Sequence, residues 1–352
     1  MDGKLGVTLS PAWEQFLERK KELQGNSRWT SSRVSAKKSL HFPQPHYSKT
    51  DAVLLHSPWT AELRSILRNI SGNQISMVTS SAEHQDVLLN WIAAAMLVAN
   101  PPLENIVVLS LDEVLYNFLR ERKIQSLYVS PEMVIDAKID RVFSQVHIVR
   151  LTVLRLINHY GFDVVNYDCD AIVLKNPDPL FEKYKAADMI GTFGKGPSQL
   201  FNKWGVTLNT GVLLLRSTTR MEYFWESMSS LKYPTTDDQG NINLVLDELD
   251  VKWTNLSPKE NIDDIHYDIY GTGRHRLNVV LLSFDVICRH TCNTVYRDSY
   301  YVWHALAIKE NRTVANKIEQ ARIGNAWFLR LDWLNIGQNL TGLEWLNSII
   351  IK

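Results

Sequence analysis

The chain has 352 residues, 45% of them hydrophobic and 22% charged, which is the composition of a globular protein with ample residues for a large core. Lysine plus arginine and aspartate plus glutamate number 38 each, so the net charge is zero, which argues against a generally basic surface for nucleic acid. No apolar run reaches the length of a membrane span, and "MDGKLGVTLS" lacks the apolar stretch of a signal peptide. We expect a soluble chain, either cytoplasmic or the luminal Golgi or ER part of an anchored protein.

The N-terminal residues 1–57 are predicted to form an arm or linker that is partly flexible. Residues 11–24 have the spacing of a short amphipathic helix, and residues 25–39 are polar, basic and without period. Residues 58–352 are predicted to form a single domain, because helix and strand patterns follow one another there without a low-complexity tract or an internal repeat.

From residue 58 onward, the spacing of apolar residues alternates between that of helices and that of strands. In chain order it predicts helix 58–70, strand 74–81, helix 82–100, strand 105–111, helices 112–123 and 145–160, and strand 162–167. In the second half it predicts strands 188–193, 209–215, 278–283 and 300–304, and helices 217–231 and 238–249. This alternation is typical of an α/β fold with a Rossmann-like, mostly parallel central sheet and helices on both faces.

The strand 162–167 leads into "VVNYDCDAIVLKNP" (164–177), where one residue separates Asp168 from Asp170. Two carboxylates so close would each have a raised pKa unless a cation lies between them or one carries a proton. Ligands of open α/β sheets bind beyond the carboxyl ends of the strands, and hard cations such as Mn²⁺ or Mg²⁺ prefer oxygen ligands. The pair therefore predicts a metal that clamps a diphosphate; the alternative is a solvated turn.

Two downstream stretches place polar residues beside apolar ones. In "GVTLNTGVLLLRS" (205–217), Asn209 to Gly211 are expected just before a strand, where the glycine would let the backbone approach a ligand; the alternative is an ordinary turn. In "TTDDQGNINLVL" (235–246), Thr235 or Thr236 is expected to cap a helix. Asp238 and Gln239 would then face the pocket, unless the acidic residues serve the helix dipole alone.

Further cationic and imidazole groups are candidates for the same pocket. His304 ends the aromatic strand in "YYVWHALAIKENRTVANK" (300–317) and is a possible third metal ligand, although a lone histidine is more often structural. Lys309 or Lys317 would meet a phosphate. Arg150 and Arg155 lie on the helix before the aspartates, where one would reach the phosphates or both would lie on a solvated face.

With these stretches taken together, the chain resembles the nucleotide-diphospho-sugar transferases of glycosyltransferase family 77, which have the GT-A fold. The resemblance covers most of residues 74–330. The stretches that carry it are "MVTSSAEHQDVLLNWIAAA", "NIVVLSLDEVLYNFL", "VVNYDCDAIVLKNPDPLF", "LNTGVLLLRST", "DDQGNINLVL" and "VWHALAIKENRTVANKIEQARIGNAWFL". It implies a metal-dependent enzyme that moves a sugar from a nucleotide diphosphate, expected to be a UDP-sugar, to a glycan, glycoprotein or other hydroxyl acceptor with retention of configuration.

The resemblance also implies roles for individual residues. Asp168 and Asp170 match the metal and diphosphate motif, and His304 matches the later metal ligand, for Mn²⁺ or Mg²⁺. Asp238 and Gln239 match the pair near the sugar, and are the catalytic candidates. The implied nucleotide-sugar contacts are Thr79, Ser80, Ser81, Arg150, Asp168, Cys169, Asn209, Gly211, Lys309 and Lys317. The chain departs from the family pattern at Cys169, in the middle of the motif, and at "ALAIKENRT", which leaves the phosphate-binding lysine open.

Two other functions are compatible with parts of the sequence. "DCDAIV" resembles the motif of haloacid-dehalogenase-type phosphatases, in which the first aspartate is a nucleophile, although that motif usually opens its domain. A catalytically inactive sugar-nucleotide-binding protein on the same fold is the second alternative.

Two weaker site hypotheses concern the C-terminal half. The irregular stretch 255–277 supplies glycines and cations for an acceptor site, with Arg274 and Arg276 as candidates. "CRHTC" (288–292) offers only three alternating ligands, whereas structural zinc usually takes four with wider spacing, so thiols near a strand end are the simpler interpretation.

Overall fold

The computed structural model describes residues 57–134, 142–231, 237–254, 256, 265–289, 299–304, 313–330 and 332–351. Several residues for which the sequence makes predictions lie outside these ranges: 1–56, Lys309, Thr235, Thr236 and most of 255–264. The same is true of two of the three zinc candidates, His290 and Cys292.

The described residues form two sheets and a series of helices. The strands are β1 (Gln74–Ser80), β2 (Ile106–Ser110), β3 (Ser126–Tyr128), β4 (Asp163–Asp168), β5 (Ala171–Val173), β6 (Met189–Gly194), β7 (Thr207–Leu215), β8 (Lys252–Thr254), β9 (Ile269–Thr272), β10 (Asn278–Leu282), β11 (Ile287–Cys288) and β12 (Val302–His304). The α-helices are α1 (Pro58–Arg68), α2 (Gln85–Ala93), α3 (Glu113–Glu121), α4 (Val142–His159), α5 (Asp178–Lys183), α6 (Ser198–Trp204), α7 (Thr219–Leu231), α8 (Asp238–Glu248), α9 (Val314–Ile323) and α10 (Gly342–Ile349).

The large sheet has nine strands in the order β3-β2-β1-β4-β7-β6-β10-β9-β8. The strands β3, β2, β1 and β4 are parallel neighbours, and so are β6 and β10. β7 runs antiparallel between β4 and β6. The predicted α/β fold is therefore confirmed, with its parallel part on the side that carries the two aspartates.

Alternation along the strands builds a hydrophobic core on each face of this sheet. In β7, Val212 and Leu214 belong to one core, while Leu213 and Leu215 belong to the other. Helices α2, α3 and α10 cover the first face, and α1, α4, α7 and α8 cover the second. Burial on both faces explains why the central strands read as continuous apolar runs.

A small second sheet, in the order β11-β12-β5, lies where the chain leaves β4. β12 is antiparallel to β5, and His304 pairs with Ala171. This register places the last residue of β12 beside the turn that contains Asp168 and Asp170.

Several elements were not predicted, or differ from the prediction. β3, β5, β8 and β11 have two or three residues each, too few to show a period. Asn209, Thr210 and Gly211 were expected at the turn into the strand predicted over 209–215, but that strand begins earlier, at Thr207, so all three lie within β7. None of the described helices is long and apolar enough to cross a membrane.

Candidate active site

Asp168, Asp170 and His304 converge at the carboxyl end of β4. Each offers one ligand atom, and these atoms lie within 4.8 Å of one another. His304 Nε2 is 3.8 Å from Asp168 Oδ2 and 3.6 Å from Asp170 Oδ1. Among the described residues this is the one group of three such side chains with metal-binding geometry. The sequence-predicted triad is therefore brought together by the fold.

The other oxygen of each carboxylate is held by a cation. Arg150 Nη1 donates to Asp168 Oδ1 at 2.7 Å, and Lys317 Nζ lies 2.8 Å from Asp170 Oδ2. Asp168 Oδ2 and Asp170 Oδ1 therefore remain directed toward His304. Two carboxylate oxygens and one imidazole nitrogen fit Mn²⁺ or Mg²⁺ in an open site, as seen where these ions also bind phosphates.

The charges around the pair keep both carboxylates ionised. Burial raises the pKa of Asp168, but Arg150, His304 and Lys317 together outweigh it and hold that pKa well below its usual range. Burial also raises the pKa of Asp170, and Lys317 and His304 outweigh burial together with the repulsion from Asp168. The spacing of the two aspartates predicted either a cation or a shared proton, and the structure supplies two cations, Arg150 and Lys317.

Arg289, which follows β11, links two of the predicted residues. Its Nη1 donates to Asn209 Oδ1 at 2.7 Å and lies 3.1 Å from His304 Nδ1. Burial, followed by the charge of Arg289, lowers the pKa of His304 to about 4, so the imidazole is neutral near pH 7. Sequence reasoning missed Arg289 because no motif marks it and its partners lie 80 and 15 positions away.

Gly211 brings β7 directly against the triad. A Cβ at this position would overlap the His304 ring and lie 2.9 Å from Asp168 Oδ2. No side chain other than hydrogen fits without moving the histidine or the aspartate. The expected close approach of the backbone at Gly211 is thus present, although toward protein side chains.

Asp238 starts helix α8 and is almost completely buried. The N-cap is Asp237, whose side chain accepts from the Gly240 amide at 2.5 Å; the threonine cap predicted from the sequence is wrong, because Asp237 already takes that position. Asp238 Oδ2 is 2.5 Å from Arg150 Nη2. Asp238 Oδ1 accepts a hydrogen bond from the backbone N–H of Gln239 at 2.9 Å. Burial raises the pKa of Asp238, but Arg150 and His147 outweigh it and lower that pKa below its usual value.

Gln239 bridges β7 and the loop after β6. Its Oε1 accepts from Asn209 Nδ2 at 2.6 Å, and its Nε2 donates to the Gly196 carbonyl at 2.8 Å. Gln239 is therefore linked through Asn209 to Arg289 and His304. Two separate sets of contacts therefore link these residues to the triad: Asp238 contacts Arg150, which contacts Asp168, and Gln239 contacts Asn209, which is linked through Arg289 to His304.

The end of β1 lies beside the aspartates. Thr79 pairs in register with Asp168, and its buried hydroxyl has no hydrogen-bond partner among the described residues. Ser80 is also buried, and Ser81 Oγ is 3.3 Å from His84 Nδ1. Burial, followed by the charge of Lys317, lowers the pKa of His84, so His84 lies within electrostatic reach of the site.

Cys169 is buried between the two aspartates. Burial raises the pKa of its thiol to about 12, so the group stays protonated and unreactive. The middle position of the motif thus contributes a small apolar side chain to the core.

Other candidates lie away from this site. Arg155 donates to Ser229 Oγ at 2.9 Å on α7 and does not contact the aspartates. Arg274 and Arg276 connect β9 to the amino end of β10, and the register through β6 and β7 puts that turn at the opposite edge of the sheet from Asp168. These two arginines therefore lie away from the metal candidates, because the antiparallel β9 carries the chain to the other end of the strands, and their acceptor role stays a prediction.

The chain matches the nucleotide-diphospho-sugar transferase family over residues 102–311, which is more than half of its length. This chain belongs to that family of glycosyltransferases. The matched segment contains Asp168, Asp170, Asp238 and His304, and the α/β sheet is the GT-A architecture that the resemblance implied.

No curated protein sequence matches the chain. Among solved structures, it is similar to the bifunctional glycosyltransferase WbbM at 12% identity, covering 50% of this chain and 38% of that one, with a TM-score of 0.40. It is also similar to the galactosyltransferase LgtC in complex with donor and acceptor sugar analogs, at 18% identity over 49% of this chain and 69% of that one, with a TM-score of 0.35. The identity to mouse xyloside xylosyltransferase 1 is 15%, over 51% of this chain and 82% of that one, with a TM-score of 0.34. At these values the structures bear on neither donor nor acceptor.

Proposed function

We propose that this glycosyltransferase is metal-dependent and retaining, and that it moves a sugar from a UDP-sugar to a hydroxyl group of a glycan or glycoprotein. The observation that carries the proposal is that the two oxygens of each carboxylate have different partners. One oxygen of each is neutralised by Arg150 or Lys317, and the other is directed toward His304 Nε2.

Asp168, Asp170 and His304 would hold Mn²⁺ or Mg²⁺. When bound, such an ion acts as a Lewis acid that neutralises charge developing on the leaving diphosphate. His304 would use Nε2, which requires the ring proton on Nδ1. Because a guanidinium group only donates, Arg289 must then release Nδ1, while Asn209 Oδ1 remains available to it.

Arg150 and Lys317 would orient the site and limit its negative charge. The ion pairs raise the pKa values of both groups above their ordinary values despite burial, so both remain cationic at physiological pH. Lys317 is the phosphate candidate among the described residues, because its ammonium group lies beside Asp170 with 22% of the side chain exposed. A lysine in this position would add to stabilisation of the leaving diphosphate.

Asp238 is better suited to stabilise positive charge than to attack the sugar. Both of its oxygens are already engaged, one by Arg150 and the other by the Gln239 amide. An attack would first have to break the pair with Arg150. Retention would then follow from attack of the acceptor hydroxyl on the anomeric carbon from the side of the departing diphosphate. The bond to the β-phosphate oxygen breaks in that step, and the hydroxyl proton passes to a phosphate oxygen.

The two alternatives lack a favouring observation. A phosphatase would need Asp168 as a free nucleophile, whereas Arg150 donates to one of its carboxylate oxygens. An inactive binding protein would retain the donor without turnover, so the same experiment separates it from an enzyme.

The test is release of nucleotide from a panel of UDP- and GDP-sugars by the purified chain, with Mn²⁺, with Mg²⁺ or with chelator. We expect metal-dependent release from a UDP-sugar, lost in Asp170→Asn and kept in Arg155→Ala, whose side chain lies away from the site. Product stereochemistry by NMR tests retention. Phosphate release from simple phosphate esters, or donor binding without turnover, would contradict the proposal.

A further inference from the structure

His147 is a residue that no sequence motif marked, and it contacts the centre of the site. It lies on α4, one turn before Arg150, and only 12% of its side chain is exposed. Its Nδ1 is 3.1 Å from Asp238 Oδ1 and 3.1 Å from Arg150 Nη2. A carboxylate only accepts and a guanidinium only donates, so Nδ1 donates to Asp238 when it carries the ring proton and accepts from Arg150 when it does not.

The contact of His147 is the first link of a chain that ends at a candidate metal ligand. Asp238 Oδ2 is 2.5 Å from Arg150 Nη2, and Arg150 Nη1 donates to Asp168 Oδ1 at 2.7 Å. Asp238 and the Arg150 side chain are 4% and 7% exposed, so water competes little with these contacts. The position of Asp168 therefore depends on Arg150, and that of Arg150 on Asp238.

We propose that His147 is a positioning residue, which fixes the carboxylate of Asp238 and, through Arg150, the orientation of Asp168. This inference rests on the proposed function, because Asp168 matters as a metal ligand. His147 touches neither the ligand atoms nor the face of Asp168 that is directed toward His304. Partners outside the ligand shell typically change metal affinity or activity by about 10–100-fold when they are removed.

Three substitutions separate positioning from simple space filling. His147→Asn keeps an N–H group close to the place of Nδ1, whereas His147→Gln carries its amide further out, and His147→Leu removes the donor at similar volume. If the ring only fills space, Leu is the best replacement. If the polar contact of Nδ1 with Asp238 or Arg150 is what matters, Asn is, because its amide group can donate or accept at that place. His159, at the other end of α4, provides the control His159→Leu.

The experiment measures Mn²⁺ affinity by electron paramagnetic resonance of the free ion, and kcat and KM for donor hydrolysis, on the folded full chain. We expect about tenfold losses of Mn²⁺ affinity and kcat/KM in His147→Leu and His147→Gln. His147→Asn should recover most of both, and His159→Leu should leave both unchanged. Should His147→Leu fail to fold, the comparison of Gln with Asn carries the test.

Wild-type values in folded His147→Gln, or equal losses in Gln and Asn, would overturn the inference and leave the proposed function standing. A wild-type chain that neither binds Mn²⁺ nor releases nucleotide from any donor would overturn the proposed function, and the inference with it.

Discussion

At the scale of single residues, the site depends on how closely β7 approaches the triad. Gly211 allows His304 and Asp168 to lie against the β7 backbone, where any Cβ would overlap the imidazole. The same strand supplies Asn209, whose amide joins Gln239 to Arg289. One strand thus sets the position of both the metal candidates and the sugar candidates.

Gly211→Ala should displace His304 and weaken Mn²⁺ binding by about tenfold or more, because a ligand that has moved binds poorly. Isothermal titration with Mn²⁺ measures the change. Gly72→Ala is the control: the φ of +82° at Gly72 strains an alanine, but no atom of the part of the chain that the structure describes lies within 4 Å of the added Cβ. It should lower stability by about 1–2 kcal/mol and leave the affinity unchanged. Wild-type affinity in Gly211→Ala would contradict the packing described here.

The buried imidazole of His304 predicts a pH dependence of stability in chelator. Its pKa is about 4 in the folded chain and about 6.5 when unfolded, so between these values the unfolded state binds more protons. Stability from this group is therefore present above about pH 6.5 and is lost as the pH falls toward 4, by about 3 kcal/mol at most. Urea unfolding should show that the free energy of unfolding falls less between pH 7.5 and pH 5 in His304→Gln than in the wild type. Equal losses in both proteins would contradict a neutral, buried His304.

At the scale of elements, the residue that caps helix α8 lies next to the site residues in the first turn of that helix. Asp237 accepts from the Gly240 amide, and the next two residues are Asp238 and Gln239. The first turn of α8 therefore holds both sugar-side candidates. Sequence reasoning found the acidic start of this helix but assigned the cap to a threonine.

Asp237→Ala should lower the free energy of unfolding by about 1 kcal/mol, because a helix amide loses its acceptor. It should also reduce kcat severalfold, since the first turn of α8 loosens around Asp238 and Gln239. Asp237→Ser, which keeps a capping oxygen, is the matched control and should restore both values. Urea titration and donor hydrolysis measure the two effects, and a loss of stability with unchanged kcat would show that the cap does not position the site.

At the scale of the whole molecule, the alternation of strands and helices and the two aspartates at a strand end were predictable. Each depends on local spacing, as in the continuous apolar run of β4 and the turn that follows it. The contacts of His147 with Asp238 and of Arg289 with Asn209 and His304 were not predictable, because they join elements distant in the chain. The position of Arg274 and Arg276 away from the aspartates was not predictable for the same reason, since the direction of β9 is set by its pairing with β10.

Ligand binding should stabilise the whole fold, because the site joins β4, β12, α4 and α9. At a free concentration of 100 times Kd, Mn²⁺ with UDP should raise the free energy of unfolding by about 2.7 kcal/mol. Thermal denaturation should show a higher Tm for the wild type and no shift for Asp170→Asn. A similar shift in both proteins would place the ligand elsewhere.

The central claim is that Asp168, Asp170 and His304 hold a metal for a nucleotide diphosphate. The most direct measurement is an anomalous difference map at the manganese edge, from crystals grown with Mn²⁺ and UDP. We expect one strong peak bounded by Asp168 Oδ2, Asp170 Oδ1 and His304 Nε2, with diphosphate density beside it and Arg289 turned away from the imidazole. A manganese peak at another place, or diphosphate bound with no peak between these three atoms, would contradict the account.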